Sequence, residues 1–197
     1  MGFSTLIDIL GSTIMGGLLL LILLRLNDTS TEKTSNYGGE LSLQQNLVTI
    51  AQIMEYDFRK MGYCKDWQKF PDPTKSIASA KSSSIKFYAD IDDNGVMDTI
   101  SYYLGGLLTA TPNPRDRYFY RAINSQPPAA INLGVSQFFM KYFDALGDSL
   151  ASPVAQPSLI NSYEINIQVE TVYAYDQKYS MAFWKQIRLL ARNLRNR

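Results

Sequence analysis

The longest run of hydrophobic residues lies at the start of the chain. Residues 5–26 read TLIDILGSTIMGGLLLLILLRL, with one acid, Asp8, and one base, Arg25, near the two ends. About 20 apolar residues in a helix cross the ~30 Å hydrocarbon core of a bilayer, and this run offers no polar face. A signal peptide would require basic residues near its start, but residues 1–8 contain no Lys or Arg. We therefore expect an uncleaved transmembrane helix over residues 1–26.

A polar segment separates this run from an amphipathic one. Residues 27–40 are polar and contain two adjacent glycines, which is typical of a linker. From residue 43 to residue 61, apolar residues recur at intervals of three or four, which predicts one apolar stripe on a helix. The stripe comprises Leu43, Leu47, Ile50, Met54, Phe58 and Met61. Ser42 and Gln45 resemble a capping box at its start, and Gly62 suits the position after its end.

Beyond Gly62 the hydrophobic period changes to that of β-strands. Alternation predicts strands at 84–90, 99–104, 118–123, 135–143, 163–172 and 180–188, the first two forming a hairpin. The proline-containing segments 65–83 and 105–117 are predicted to be loops. Along 163–170 apolar and polar side chains alternate, which predicts one buried and one solvated face.

One apolar helix stripe requires one apolar sheet face. The sequence therefore predicts an α+β fold with an N-terminal transmembrane helix. Residues 41–197 would form a head in which one amphipathic helix packs on an antiparallel β-sheet, and residues 27–40 would link the two parts.

The composition argues against an enzyme. The chain has 197 residues, a net charge of +1, no histidine and one cysteine, Cys64. These counts exclude Ser–His and Cys–His nucleophiles and histidine-ligated zinc, and no glycine-rich phosphate loop of common spacing is present. The charge balance gives no reason to expect nucleic acid as a partner. We interpret the basic C-terminus as a solvated end rather than a site for DNA or anionic lipid. Its residues are Arg188, Arg192, Arg195 and Arg197.

The most specific chemical pattern lies between the first two predicted strands. Residues 90–98, DIDDNGVMD, match the first nine positions of a D-x-D-x-N-G-x-x-D calcium loop. The ligands would be the side chains of Asp90, Asp92, Asn94 and Asp98 and the carbonyl of Val96. Position twelve, where a bidentate Glu is expected, is Ser101 inside a predicted strand. Two interpretations stay open: a weakened calcium site, and a plain hairpin turn in which Asn94 and Gly95 supply positive φ angles. No other cofactor is expected.

Several strings, taken in order, resemble the type IV pilin-like superfamily, in particular pilin W-type minor pilins and J-type pseudopilins. The string LVTIAQIMEYDFRKMGYC is similar to the helix end of that group. The strings FYADIDDNGVMDTISYYL, TPNPRDRYFYRAIN and LGVSQFFMKYFDALGDSLA and the closing RNL resemble its successive strands. The resemblance covers residues 3–194. It implies a pilin-like fold and a non-enzymatic subunit of a type IV pilus or of a type II secretion-type filament.

The N-terminus departs from the prepilin pattern. Prepilins carry a short basic leader ending in Gly, then Phe, and a Glu five residues into the mature chain. Here Gly2 and Phe3 follow Met1 directly. With Phe3 as the first mature residue, Ile7 takes the glutamate position and Asp8 follows it. The family often has one continuous long helix, whereas in this chain the predicted linker at residues 27–40 interrupts it.

The resemblance nevertheless implies assembly roles for residues of the apolar segment. Asp8 would pair with the terminal amine of a neighbouring subunit; the alternative is a carboxylate solvated among the lipid headgroups. Gly11, Gly16 and Gly17 would let helices approach closely, because they lack side chains.

The filament interpretation also implies partners and a location. The partners would be other pilin-like subunits and inner-membrane assembly proteins. The chain would be a single-pass protein of the bacterial inner membrane with its head outside the cytoplasm, or part of a surface filament for adhesion or protein secretion. Arg25 and Lys33 favour the opposite orientation, but two charges carry less weight than the family plan. The alternative function is a single-pass, membrane-tethered binding module that never enters a filament.

Overall fold

The computed structural model describes residues 2–131, 133–174 and 179–189, without the side chains of residues 35–36 and 187–189. The chain divides into two compact units, Met1–Leu41 and Ser42–Arg197. The described residues form an α+β protein with one long N-terminal helix and two antiparallel sheets.

Helix α1 runs from Gly2 to Arg59 over 58 residues. Within the first unit, every side chain from Phe3 to Thr34 is exposed. The leucine-rich stretch is no exception, since Leu18 to Leu24 are each 51–62% exposed. An 18-residue window of this helix reaches a mean hydropathy of 2.2, so the helix is long and apolar enough to cross a membrane.

The predicted interruption of the helix over residues 27–40 is wrong. α1 continues through this segment, and the hydroxyls of Thr29, Thr31 and Thr34 each donate to the carbonyl four residues earlier. Ser42 lies inside α1 and caps nothing. Polar residues end an apolar pattern without ending helical hydrogen bonding, and Gly38 and Gly39 cost the helix only about 1 kcal/mol each relative to alanine. It stays a prediction that residues 27–40 connect a membrane anchor to the head, but the connecting segment is a helix.

The second unit contains nine strands among the described residues. They are β1 Ile77–Lys81, β2 Ser84–Ala89, β3 Asp98–Leu107, β4 Arg117–Ile123, β5 Ala129–Ala130, β6 Val135–Phe143, β7 Ser149–Leu150, β8 Ser162–Glu170 and β9 Met181–Leu189. Short 3-10 turns lie at Trp67–Lys69, Pro73–Lys75 and Pro157–Leu159. One sheet has the order β1-β2-β3-β4-β5 and the other the order β7-β6-β8-β9, with every pair antiparallel.

The core confirms the predicted helix stripe and corrects the predicted single sheet. Leu43, Ile50, Met54, Phe58 and Met61 are at most 4% exposed, and Leu47 packs against them. The ring of Phe58 lies 5.1 Å from that of Phe87 in the first sheet and 5.4 Å from that of Tyr163 in the second. The helix stripe therefore packs against both sheets, and strand periodicity alone does not reveal how strands divide between sheets.

The strand predictions hold for all six segments, and the β2–β3 hairpin is confirmed with Phe87 opposite Ile100. Three strands were missed. β1 lies in the predicted loop 65–83, and its sequence IASAK has few of the β-branched and aromatic residues that identify strands. β5 and β7 have two residues each, too few to show alternation.

The predicted solvated face of β8 is partly covered. Glu164 and Glu170 are only 8% and 2% exposed. Glu170 accepts hydrogen bonds from Arg115 Nε at 2.8 Å and Asn113 Nδ2 at 3.1 Å, both from the segment between β3 and β4. Polar alternation therefore identified the strand correctly, but Glu170 on its polar face is covered by Arg115 and Asn113 instead of facing solvent.

Candidate functional site

The acidic loop predicted as a calcium site connects β2 to β3. The backbone reverses with Asp93 at φ 59° and Gly95 at φ 76°, both in the left-handed region. Asp tolerates this region better than most residues, and Gly has no Cβ to clash. The predicted role of Gly95 is confirmed, whereas Asp93 rather than Asn94 takes the other positive φ angle.

The carboxylate of Asp90 organises the loop from its interior. Asp90 is fully buried, and its Oδ2 accepts the backbone N–H groups of Gly95 at 2.9 Å and Lys65 at 3.1 Å. Its Oδ1 accepts the N–H of Asn94 at 3.0 Å. Burial acts to raise the pKa of Asp90, but these three backbone donors outweigh it and hold the pKa below the usual range.

Three of the predicted ligands converge. One carboxylate oxygen from each of Asp90, Asp92 and Asp98 lies within 4.8 Å of the others. Asp98 is held by the N–H of Ile91 at 3.2 Å and by Asn124 Nδ2 at 2.7 Å. The side-chain oxygen of Asn94, Oδ1, instead accepts a hydrogen bond from the backbone N–H of Val96 at 2.7 Å. The loop therefore gathers three carboxylates and uses its amide group internally.

The donor set fits calcium only in part. A carboxylate has about four acceptor positions, so Asp90 keeps one after its three hydrogen bonds. Calcium takes six to eight oxygens and relies on a bidentate Glu at position twelve. That position is Ser101, which lies in β3 between Lys86 of β2 and Ala122 of β4. The hydrogen bonds within the loop also stabilise it as a plain turn, so both interpretations of the sequence remain.

Lys60, a residue that the sequence analysis did not single out, connects the end of α1 to this loop by hydrogen bonds. Its Nζ donates to the Ile91 carbonyl at 2.7 Å and to Asp93 Oδ1 at 3.1 Å. The same ammonium lies 5.3 Å from the ring centroid of Tyr56 and 5.7 Å from that of Tyr63. Nothing in the local pattern marks Lys60, because its partners lie in a distant part of the sequence.

An ion pair between the buried Asp57 and the partly exposed Arg121 joins α1 to the first sheet and was also missed. Arg121 donates from Nε to Asp57 Oδ2 at 2.6 Å and from Nη2 to Asp57 Oδ1 at 3.0 Å. Tyr102 donates its hydroxyl to the same Oδ2 at 2.5 Å. Burial, together with the charge of Asp57, raises the pKa of Tyr102 and keeps it a neutral donor. A cleft of about 560 Å³ opens beside the pair, but its lining is mostly apolar and suggests no reaction.

The predicted assembly residues lie on exposed surface of α1 and form no site with any other residue that the structure describes. Asp8 is exposed and makes no ion pair with any other described residue. A Cβ placed on Gly11, Gly16 or Gly17 would meet nothing within 4 Å. This surface is open to a neighbouring helix. The predicted basic C-terminal patch lies outside the residues whose side chains are described.

No protein-family model, no curated protein and no solved structure matches the chain. The described residues define a class by architecture alone: an α+β head, with a helix long and apolar enough to cross a membrane.

Proposed function

We propose that the protein is a membrane-anchored, non-enzymatic subunit of a pilin-like filament, a minor pilin or a pseudopilin. The observation that carries this proposal is the continuity of α1 from Gly2 to Arg59. Its N-terminal part is apolar and exposed all round, and its C-terminal part contributes the core stripe of the head. Such a helix suits a subunit that is held in a membrane first and packed in a helical bundle later.

The exposed surface of the first unit supports helix association. Where lipid already solvates apolar side chains, helices associate through close backbone approach and interhelical polar contacts. Gly11, Gly16 and Gly17 leave the helix backbone open to a neighbour, and Asp8 provides one charge that a neighbour can neutralise. In a filament, Asp8 would set the axial register by pairing with the terminal amine of the adjacent subunit.

Disulfide cross-linking in the native host tests this proposal. Cys64 is first replaced by Ser, and a single cysteine is then introduced by Gly11→Cys or Gly16→Cys. We expect cross-links to other membrane-anchored, pilin-like chains, and we expect Asp8→Asn to reduce them because it removes the charge while keeping the size. Thr31→Cys, on the polar part of α1, is the matched control and should cross-link poorly.

The result also separates the two functions considered. Cross-links that depend on Asp8 favour the filament subunit. A chain that partitions into the membrane but cross-links to nothing, in cells that assemble normal filaments without it, favours the tethered binding module. A chain found in the aqueous fraction without detergent contradicts both.

The loop of Asp90 yields a prediction that does not depend on calcium. Asp90→Asn should lower the free energy of unfolding by about 1–3 kcal/mol, because one amide oxygen replaces two carboxylate oxygens that accept three N–H groups. Since folding lowers the pKa of Asp90, its contribution is present at neutral pH and is lost as the pH falls below about 4. The gap between wild type and variant should therefore close in acid.

Denaturant titrations at pH 7 and pH 3 measure that gap. Asp93→Asn is the matched control, because Asp93 faces Lys60 rather than the three-carboxylate cluster and Asn accepts its positive φ angle. Equal losses in the two variants, or a gap unchanged by pH, would contradict the role assigned to Asp90.

Calcium itself decides between the two interpretations of the loop. A ligand that binds only the folded state raises the melting temperature by mass action. A rise of a few degrees in millimolar calcium, absent in Asp92→Asn and not reproduced by magnesium, would support a calcium site. No rise would leave the loop as a turn held by its own hydrogen bonds.

A further inference from the structure

The two ends of strand β3 carry groups of opposite charge. β3 begins at Asp98, the last residue of the acidic loop, and it ends at Leu107, which lines a cleft together with two arginines. Its ten residues, at about 3.4 Å each, place the two ends roughly 30 Å apart. The acidic loop of one molecule therefore cannot reach the cleft of the same molecule.

The cleft lies where the ends of β3 and β4 meet β6, and it has a volume of about 440 Å³. Its lining combines the guanidinium groups and polar side chains of Arg115, Arg117, Ser136 and Gln137 with the exposed apolar side chains of Leu107 and Phe139. No acid is among the described residues that line it. We call this cleft the arginine cleft.

Both arginines keep donors for an anion. Arg115 donates from Nε to the two carboxylate oxygens of Glu170, which leaves the donors of its Nη nitrogens for a second carboxylate. Arg117 donates from Nη1 to the carbonyl of Gly105 and forms no ion pair with any described residue. Glu170 and Asp116, the acids beside these arginines, are each 2% exposed. The charge at the surface of the arginine cleft is therefore positive.

The acidic loop presents negative charge and apolar surface together. Asp92 is exposed and forms no ion pair with any residue that the structure describes. Val96 is exposed in the same loop, and Trp67 is exposed on the segment whose Asp66 lies against Gly95. Arginines and large apolar side chains at the centre of a surface patch are typical of protein interfaces. The loop and the arginine cleft are thus complementary in charge and alike in apolar exposure.

We propose that copies of this chain associate head to tail, with the acidic loop of one copy bound in the arginine cleft of the next. Asp92 would accept hydrogen bonds from the guanidinium groups of Arg115 and Arg117, and Val96 would pack against Leu107. Because the two surfaces differ, every assembly keeps one free loop and one free cleft at its ends. The contact can therefore continue as an open chain, which a self-complementary contact cannot do.

This inference rests on the proposed function, because it names the contact that neighbouring heads would make within a filament. It adds the partner of the head, a second copy of the chain, to the helix association proposed for the first unit. The two contacts involve separate residues, so each is tested by its own cysteines.

Disulfide cross-linking between two variants of the full-length chain tests the head contact. Both carry Cys64→Ser; one carries Val96→Cys and the other Leu107→Cys, at positions that are 53% and 52% exposed. We expect a cross-linked dimer when the two are mixed in detergent micelles and oxidised, and little from either alone. Leu146→Cys, in the exposed turn between β6 and β7, replaces Leu107→Cys in the matched control and should cross-link poorly.

Charge reversal identifies the groups that make the contact. Arg117→Glu in the Leu107→Cys chain, or Asp92→Lys in the Val96→Cys chain, should lower the dimer yield about tenfold, because like charges then meet. Mixing the two reversed chains should restore the yield, and this recovery also shows that both variants fold. Arg115 is left unchanged, because it pairs with the buried Glu170. The yield of the unreversed pair should fall as salt rises.

Three results would overturn the proposal. An equal yield from the Val96→Cys chain alone would indicate a self-complementary contact. No dimer in the mixture, or a yield that neither reversal changes, would show that copies do not meet through these surfaces. A Leu107→Cys chain that links in cells to a different membrane-anchored protein, and not to Val96→Cys, would assign the cleft to another subunit.

The cysteines of the first unit distinguish failure of this inference from failure of the filament role. If Gly16→Cys cross-links in cells while the loop and the cleft do not, only the head contact is wrong. If the loop and the cleft cross-link in the purified chain while Gly16→Cys links to nothing in cells, the head-to-tail contact holds and the filament role is contradicted.

Discussion

Phe58→Ala is expected to lower the free energy of unfolding of the head by about 3–5 kcal/mol, the usual cost of removing a fully buried aromatic side chain. Phe58 is 0% exposed. Its ring contacts Phe87 and Tyr102 of the first sheet at 5.1 and 5.6 Å and Tyr163 of the second at 5.4 Å. The cavity would lie where the helix and both sheets meet, and none of these large rings can fill it without moving a strand.

Denaturant titration of the full chain in detergent measures this loss. The two tryptophans, Trp67 and Trp184, both lie in the second unit, so their fluorescence follows the head alone. Val48→Ala is the matched control, since Val48 is on the same helix but 53% exposed, and it should change the free energy by no more than about 0.5 kcal/mol. A Phe58→Ala loss near that of the control would show that the ring does not join the two sheets.

Local patterns explain which parts of the fold were predictable. A helix stripe and a hairpin are set by residues close together in sequence, so Leu43 to Met61 and the β2–β3 pair followed from spacing. The continuity of α1 through residues 27–40 did not, because it depends on helical hydrogen bonding that polar residues and glycines allow. The division of strands into two sheets is a matter of long-range pairing, and β6 joins β8 across a long loop.

The acidic loop was predictable for the same reason. Asp90, Asp92 and Asp98 belong to one short motif, and the structure brings their carboxylates together. The sequence already weakened the calcium interpretation, because position twelve is Ser101 rather than Glu. The structure places Ser101 within β3, opposite Ala122 of β4. The hydrogen bonds of Lys60 to Ile91 and Asp93 could not be predicted, because they depend on groups from separate elements meeting in space.

Asp57 did carry a signal in the sequence. It lies three residues after Met54 and four before Met61, and so at a position of the buried stripe. An acid at such a position requires a cationic or hydrogen-bonding partner, because burying an unpaired charge is costly. The identity of that partner, Arg121 on β4, follows only from the fold.

Arg121→Met should therefore destabilise the head by about 3 kcal/mol, at the lower end of the range for breaking a buried pair. The side chain of Asp57 is 1% exposed and that of Arg121 23%, so the variant leaves a buried carboxylate with only the Tyr102 hydroxyl as a side-chain donor. Arg59→Met is the matched control, because it breaks the exposed Arg59–Glu55 pair on α1, the helix that carries Asp57. It should lower the free energy of unfolding by less than about 1 kcal/mol.

The double variant Asp57→Leu/Arg121→Met shows whether the loss comes from the stranded charge or from the lost contact. If the buried charge is the cause, replacing both partners by apolar side chains recovers most of the stability, since nothing charged is left to desolvate. Tryptophan-monitored unfolding of the four proteins of this cycle gives the coupling energy directly. If the double variant is as unstable as the sum of the two single variants, the two side chains are not energetically coupled, and the stranded charge is not the cause of the loss.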